Sequence, residues 1–169
     1  MKKLYDCNSE MHCIYDNDGQ AIYGIASGLT IQWLTHLPDS LQPHYHIDIQ
    51  AAINQQTFSF NQFTFVTHRA HTFHAYKLSL CNLTPLEEVG IKNLYKLSAL
   101  LKGKPGAYYL ILSDSEDSSH ALGLNITIEM QYYLLDPDSG LFLMNYEEFD
   151  EYLTTNFEIH EPSVFIKVS

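Results

Sequence analysis

The stretch Gly24-Ile25-Ala26-Ser27-Gly28-Leu29-Thr30-Ile31-Gln32-Trp33-Leu34 decides the fold of this 169-residue chain. Its apolar residues, with Ile22 just upstream, recur at the three- and four-residue spacing of a helix. The turn Asp16-Asn17-Asp18-Gly19 precedes the stretch, and the segment from Pro38 to Pro43 interrupts the pattern after it. The spacing predicts a helix over about residues 24–36 with one buried apolar stripe.

The composition is typical of one folded domain. Apolar residues make up 46% of the chain, and 169 residues are enough for a sizeable core. We expect a single domain over residues 1–169, because no linker, repeat or low-complexity tract interrupts the sequence. No apolar stretch reaches the length of a membrane span, and the N-terminus lacks a signal-peptide core. Export by a dedicated secretion machine leaves no such signal and is compatible with this sequence.

Charge and cysteine content argue against several classes of protein. The net charge of −11, from 20 acids and 9 bases, argues against a nucleic-acid binder, which needs a cationic face. The same balance favours a basic partner or substrate segment. Cys7, Cys13 and Cys81 are odd in number and lack a CxxC pair, which argues against a disulfide framework or a structural zinc site. Reduced thiols fit a cytosolic working compartment.

The C-terminal half of the chain is rich in predicted strands. An apolar run, two segments that form a hairpin, and two later segments predict an antiparallel sheet that follows the helical part. This order is typical of an α+β fold. The predicted strands are residues 107–113, 120–127, 130–135, 140–144 and 164–168, and Asn145 with Glu148 caps a short helix between the last two.

A second helix is predicted just before this sheet. Thr84-Pro85-Leu86-Glu87 has the pattern of a capping box with proline at the first helical position. The apolar positions that follow lie on one helical face, and Gly103 ends the pattern. These positions are Leu86, Val89, Leu94, Leu97 and Leu101.

Residues 44–82 carry mixed signals. The runs 57–60 and 63–66 alternate like strands. His44, His46 and Asp48 occupy alternate positions, as on one strand face, and His68, His71 and His74 have near-helical spacing. These residue types bind transition metals. Because nothing nearby completes a zinc signature, we expect no metal.

Three distant residues form a candidate site for thiol chemistry. Such a site needs a thiolate at a helix N-terminus, a histidine that shares the proton, an acid that orients the histidine, and oxyanion donors. The predicted helix presents its positive end to position 26, where Ala26 stands. If the hairpin turns about residue 128, His120 lies opposite Asp136, and paired β-carbons are about 4.5–5.5 Å apart.

The helix start, the pair His120-Ala121 and the run Asp136-Pro137-Asp138-Ser139-Gly140-Leu141-Phe142 together resemble the YopT/AvrPphB-type effector cysteine peptidases. These are papain-like proteins that bacteria deliver into host cells. The order of the segments matches, as does the short distance between histidine and acid. The Asp-Pro-x-x-Gly-x-Phe run is the most specific part. The resemblance covers three short islands, and residues 37–106 match nothing in the family's pattern.

The resemblance implies a papain-like α+β fold, with an N-terminal nucleophile helix packed on a C-terminal antiparallel sheet. Carried over by position, Ala26 stands in for the nucleophile, His120 for the general base and Asp136 for the orienting acid. Gln20, six residues before position 26, is the candidate oxyanion donor, with Asn17 as a second candidate. No cofactor is needed.

The resemblance also implies an activity and a location. The parent chemistry is a thiol peptidase that acts on a host protein, after a dedicated bacterial secretion system has delivered it into the host cell cytoplasm. Because alanine has no ionisable atom, this chain is expected to bind its substrate without cleaving it.

Other interpretations remain open. The same triad can attack a glutamine side chain, which gives a deamidase or transglutaminase. If alanine is native at position 26, the chain is a non-catalytic pseudoenzyme that binds a partner. Ser27 faces a different direction on the helix, and Cys13 is not followed by an amphipathic helix. Taken singly, Ala26 fits a core alanine and Asp136 a turn residue, and only their joint spacing with His120 favours a site.

Overall fold

Nine strands and four helices build the part of the chain that the computed structural model describes, residues 1–63, 78–79, 81–91, 94–113, 119–157 and 160–169. The strands are β1 (Lys2–Asp6), β2 (Cys13–Tyr15), β3 (Ala21–Tyr23), β4 (Pro85–Ile91), β5 (Gly106–Ser113), β6 (Ser119–Ile126), β7 (Tyr132–Asp136), β8 (Gly140–Met144) and β9 (His160–Val168). The helices are α1 (Ala26–Thr35), α2 (Ile49–Phe63), α3 (Leu94–Leu101) and α4 (Tyr146–Asn156). Two short 3-10 turns lie at Ser9–Met11 and Asp39–Leu41.

Seven strands form one antiparallel sheet in the order β1-β8-β7-β6-β5-β9-β4, and β2 pairs with β3 in a separate hairpin. Side chains alternate between the two faces of the large sheet. On β6, Leu122 and Leu124 pack in the cluster that contains residues of α3 and α4, whereas Ala121 packs in the cluster that contains residues of α1. The α+β class predicted from the order of elements is confirmed.

Helix α1 confirms the prediction for residues 24–36. It is buried on more than a single stripe, because Gly28, Thr30, Ile31 and Trp33 are all buried. Two glycines allow this close packing. A β-carbon on Gly28 would lie 2.2 Å from the carbonyl oxygen of Ala52 in α2, and one on Gly123 in β6 would lie 2.6 Å from the Trp33 ring.

The strand-like alternation at residues 57–60 does not correspond to a strand, because these residues belong to α2. The apparent alternation arises because small and polar residues separate the phenylalanines. In the helix, buried Ala52 and Ser59 lie two turns apart, while Phe58 is 39% exposed. Residues 44–48 form no strand either. Asp48 instead accepts the amide of Ala51 at 3.0 Å and so caps α2. The predicted strand at 63–66 and the histidines 68, 71 and 74 lie largely or wholly outside the described residues.

The capping box predicted at Thr84–Glu87 is wrong, because residues 85–91 form strand β4. Thr84 and Ser169 exchange backbone hydrogen bonds of 3.3 and 3.0 Å, and β4 then pairs with β9 along its length. A proline is tolerated at the first residue of an edge strand, which is where Pro85 lies. The helix that was expected to start here begins at Leu94 and ends at Leu101, before Gly103 with its positive φ of 70°.

The predictions for the C-terminal half are confirmed. Strands β5, β6, β7, β8 and β9 each overlap one predicted segment, and the β6–β7 hairpin differs from the prediction by one or two residues at its ends. Helix α4 begins with a capping box in which Asn145 accepts the amide of Glu148 and the Glu148 carboxylate accepts the amide of Asn145. The Asp16–Gly19 turn is confirmed too, since the Asp16 carboxylate accepts the amides of Asp18 and Gln20.

Candidate active site

Residue 26 lies at the first position of α1. The preceding Ile25 provides no side-chain cap, and the first turn of the helix carries no acid. Ala26 is partly buried and packs against the apolar cluster that contains Tyr109 and Ala121. Next to it, the hydroxyls of Ser27 and Tyr109 lie 2.9 Å apart. The positive end of the helix dipole favours negative charge at this place, and the amide of Gly28 in the first turn donates to the side-chain oxygen of Gln56 at 2.8 Å.

The β6–β7 register differs from the predicted one by two residues. Gly123 pairs with Leu135 and Ile126 with Tyr132, so Asp136 falls opposite Leu122 and not opposite His120. His120 lies two positions before Leu122 on β6, and so it comes near the turn between Asp136 and Gly140 that contains Asp138. Because the shift is an even number, His120 and Asp136 stay on the same face of the sheet.

Asp138 is the carboxylate beside His120. Its Oδ2 atom lies 3.8 Å from His120 Nδ1, and the two side chains are 29% and 35% exposed. The Ser9 hydroxyl donates a hydrogen bond to Oδ1 of the same carboxylate. The ring of His120 also meets the ring of Phe157 edge-on, with centroids 5.7 Å apart.

Asp136 is buried and builds the turn that carries Asp138. Its Oδ1 atom accepts the amide of Asp138 at 3.0 Å, and its Oδ2 atom accepts the hydroxyl of Tyr152 at 2.6 Å. Burial, followed by the bond to Asp136, raises the pKa of Tyr152 well above its usual range. The tyrosine therefore keeps its proton and remains a hydrogen-bond donor to Asp136.

The N-terminal segment supports the same turn. The amide of Cys7 donates to the Ser139 carbonyl at 3.3 Å, and the amide of Ser9 donates to the Pro137 carbonyl at 2.9 Å. Sequence reasoning missed Ser9 and Tyr152, and no local signal points to them, since Ser9 and Asp138 are 129 residues apart. Asp138 lies in the turn between β7 and β8, two residues after the predicted acid, and the alternation of a strand does not determine where its side chain points.

The structure thus brings His120 together with Asp138, and with Asp136 behind it, at one corner of the sheet. Ala26 belongs to the other layer. The alternation of β6 directs His120 toward Phe157 on the α4 side and Ala121 toward the cluster that Ala26 joins.

The two candidate oxyanion donors lie at the tip of the β2–β3 hairpin. Gln20 is exposed there, and its backbone exchanges bonds with Asp16. The three residues of β3 separate it from the segment that leads into α1, a distance of about 10 Å along a strand. Asn17 is exposed in the same turn. Their role in stabilising an oxyanion stays a prediction.

None of the three cysteines lies at the start of α1. Burial, and then the nearby Asp136 carboxylate, raise the pKa of Cys7 to about 12, so this sulfur remains a thiol at neutral pH. Cys81 is buried, and its sulfur accepts the side-chain amide of Gln55 at 2.9 Å. Cys13 lies in β2.

A cleft of about 460 Å³ opens on the flank of α1, with a volume typical of ligand sites. Its lining includes Tyr5, Cys7, His12, Leu29, Tyr45 and His46. Within the described residues, no group of three or more His, Cys, Asp or Glu side chains could hold a metal ion. The helices in that same part of the chain are all too short or too polar to cross a membrane.

No protein-family model matches the chain, and no curated protein matches its sequence. The fold is similar to the crystal structure of the Pseudomonas avirulence protein AvrPphB, with a TM-score of 0.63 over 86% of this chain and 91% of that one. The two sequences are 17% identical, so the likeness concerns the fold alone. The papain-like α+β architecture predicted from the three sequence islands, with a helix at residue 26 against an antiparallel sheet, is the architecture that this chain has.

Proposed function

We propose that residues 1–169 are a papain-like bacterial effector domain whose parent chemistry is a thiol peptidase acting on a host protein. AvrPphB, which shares the fold, is a cysteine protease effector. The proposal rests on the arrangement of α1 and β6. Helix α1 begins at residue 26 and packs through Trp33 against β6. On the same strand, His120 lies 3.8 Å from the carboxylate of Asp138. With Ala26 in place of a nucleophile, the chain itself binds substrate without cleaving it.

With a thiol at position 26, the reaction proceeds through an acyl-enzyme. His120 takes the thiol proton, the sulfur attacks the scissile carbonyl, and His120 returns the proton to the leaving amine. Water then hydrolyses the acyl-enzyme. The amides at the start of α1, with Gln20 if the hairpin tip approaches, hold the oxyanion. No cofactor takes part.

Two aspartates contribute to the orientation of His120. The family resemblance assigns Asp136 to orient His120. In this chain Asp138 lies next to the imidazole, and Asp136 supports the turn that carries Asp138 by accepting a hydrogen bond of 3.0 Å from the amide of Asp138. Proton transfer requires the imidazole of His120 to reach the start of α1. Because His120 and Ala26 lie on opposite faces of β6, this requires a change in the backbone at the beginning of β6 and not a side-chain rotation alone.

The substitution Ala26→Cys tests the proposal. A free thiol has a pKa of about 8.5, and a thiol at a helix start beside a histidine has a pKa of about 7 or below. The pH profile of alkylation by iodoacetamide, followed by mass mapping of the modified residue, should therefore have its midpoint at or below about pH 7 for the new thiol. The further change His120→Ala should move this midpoint upward.

Ser27→Cys is the matched control, because it places a thiol in the same helical turn but toward Tyr109. If the two introduced thiols share one profile, or if His120→Ala leaves the Ala26→Cys profile unchanged, the proposed site is wrong. With a candidate host protein, cleavage gives two fragments. Deamidation, the alternative reaction of the same triad, gives one intact product in which an amide has become an acid.

A non-catalytic binding module is the second candidate function. The observation that favours it is Ala26 itself, together with the positions of Cys7, Cys13 and Cys81 away from the start of α1. The codon for residue 26 in the gene distinguishes the two functions. An alanine codon identifies a pseudoenzyme, and a cysteine codon identifies a thiol enzyme, either a peptidase or a deamidase. In either case we propose delivery by a dedicated secretion system into the host cell cytoplasm.

A further inference from the structure

The β2–β3 hairpin, residues 13–23, has one buried and one exposed face. Ile14 is 2% exposed and packs with Ile25, Leu29 and Ala52, and Ile22 packs against the same cluster. The opposite face presents two tyrosines to solvent, Tyr15 at 64% and Tyr23 at 69% exposure. Tyrosines on an exposed strand face are well suited to bind a partner chain, because they provide a large rigid contact area.

The outer edge of β3 offers unused backbone groups. The amide of Gly24 donates to His12 and the amide of Asp16 donates to Gln20, so the inward-bonded pairs are 12 with 24, 14 with 22 and 16 with 20. By the alternation of an antiparallel pair, the N–H and C=O groups of Ala21 and Tyr23 point outward. In the described part of the chain, these groups form no backbone hydrogen bond.

Among the described residues, β2 is the only strand that pairs with β3. Helix α2 lies against β2, on the other side of the hairpin, and the 3-10 turn Ser9–Met11 packs near β3. The amides of Ser9 and Met11 bond to Pro137 and Asn8, and therefore do not pair with β3. An exposed edge of this kind is a template for another strand.

Charge identifies the class of partner. Residues 4–68 contain no lysine or arginine and carry six acids. Of these, Glu10 precedes the hairpin, and Asp16 and Asp18 lie in its turn. A strand that carries Lys or Arg is attracted to this surface, and a guanidinium group can also lie over the exposed tyrosine rings. A second copy of this chain, with a net charge of −11, would be repelled.

We propose that the outer edge of β3 binds an extended, basic segment of a partner protein by β-strand addition. The main chain of that segment pairs with Ala21 and Tyr23, and its basic side chains meet Tyr15, Tyr23 and the neighbouring acids. Because β3 leads through Gly24 directly into α1, the bound segment lies beside position 26. The binding itself does not depend on any chemistry at that position.

The test uses the ¹⁵N-labelled chain as it exists, with Ala26. The probe is a seven-residue peptide of alternating Arg and Val. We expect saturable shifts of the Ala21 and Tyr23 amide signals, and an affinity that falls as salt rises. Two control peptides are matched to the probe: one replaces Arg by Glu, and the other carries N-methyl groups on alternate backbone amides, which keeps the charge and removes strand pairing.

Ala21→Pro is the decisive variant. It removes an outward N–H group and leaves the inward-bonded pair of Ile14 and Ile22 intact. The affinity for the probe peptide should therefore fall about tenfold. The sole tryptophan, Trp33, reports whether the variant is folded. If Ala21→Pro does not fold, the N-methylated peptide still tests strand pairing, since it alters only the ligand.

Absence of saturable shifts at Ala21 and Tyr23 would overturn the proposal, as would equal binding of the Glu-containing or N-methylated peptide. These results are separate from the alkylation test at position 26. The hairpin can bind the probe while the thiol of Ala26→Cys reacts like free cysteine. Equally, that thiol can be activated while the hairpin does not bind the probe.

Discussion

The substitution Gly123→Ala should loosen the contact between α1 and β6. A β-carbon at residue 123 would lie 2.6 Å from Cε3 and 2.8 Å from Cζ3 of Trp33, whereas carbon atoms in contact are about 3.5–4.0 Å apart. The ring would have to move by about 1 Å. It is fully buried and anchored by a 3.2 Å bond from its Nε1 to the Ser40 carbonyl, so it has little room to do so.

Overpacking of a core by one methyl group costs about 1–3 kcal/mol in the free energy of unfolding, and the anchored ring favours the upper half of that range. A urea titration followed by Trp33 fluorescence measures this loss. With a urea dependence of about 1–3 kcal/mol per molar for a small domain, the midpoint should fall by about 1 M.

Trp33→Phe provides the matched background, because it removes the part of the ring that the new methyl group would strike. The single change Trp33→Phe destabilises the protein by leaving a cavity. In that background, Gly123→Ala should lower the free energy of unfolding by less than half as much as in the parent chain, as followed by circular dichroism. Equal costs in the two backgrounds, or an unchanged midpoint for Gly123→Ala alone, would refute the packing argument.

Three further predictions concern neighbouring contacts. Gly28→Ala should destabilise the protein by about 3 kcal/mol or more in a urea titration, because its β-carbon would strike the rigid backbone of Ala52, and a loss below about 1 kcal/mol would contradict this. Cys7, with its pKa raised to about 12, should react with iodoacetamide at pH 8 far more slowly than free cysteine, and a free-cysteine rate measured by mass mapping would show that burial has been misjudged. Tyr152→Phe removes a donor to buried Asp136 and should cost about 1–3 kcal/mol of unfolding free energy, whereas an unchanged midpoint would mean that another donor replaces it.

Local signals predicted the elements that depend on local contacts. The apolar spacing around Trp33 predicted α1, and the Asn145–Glu148 pair predicted the start of α4, because each signal acts within a few residues. The capping pattern at Thr84 failed, since it competes with strand pairing to Ser169, 85 residues further along the chain. A local pattern carries no information about such a distant partner.

The candidate site could be predicted only in part for the same reason. The pairing of β6 with β7 follows from their composition, but the register depends on the turn between them. That turn has Met130 in a left-handed conformation, with a φ of 62°, where glycine or asparagine would have marked the position. Because the sequence did not mark this turn, it predicted Asp136 as the partner of His120, whereas Asp138 lies beside the imidazole.

Cys7 and Ser9 bond to the Asp136–Ser139 turn, so the first nine residues of the chain support the part of the sheet where His120 lies. A version shortened by nine residues would lose the first strand of the sheet and two main-chain bonds to that turn. It would also leave Asp138 without its serine donor. Damage far from residue 120 in sequence would then reach the imidazole through the carboxylate beside it, so a trimmed preparation is unsuited to judging whether this protein has activity.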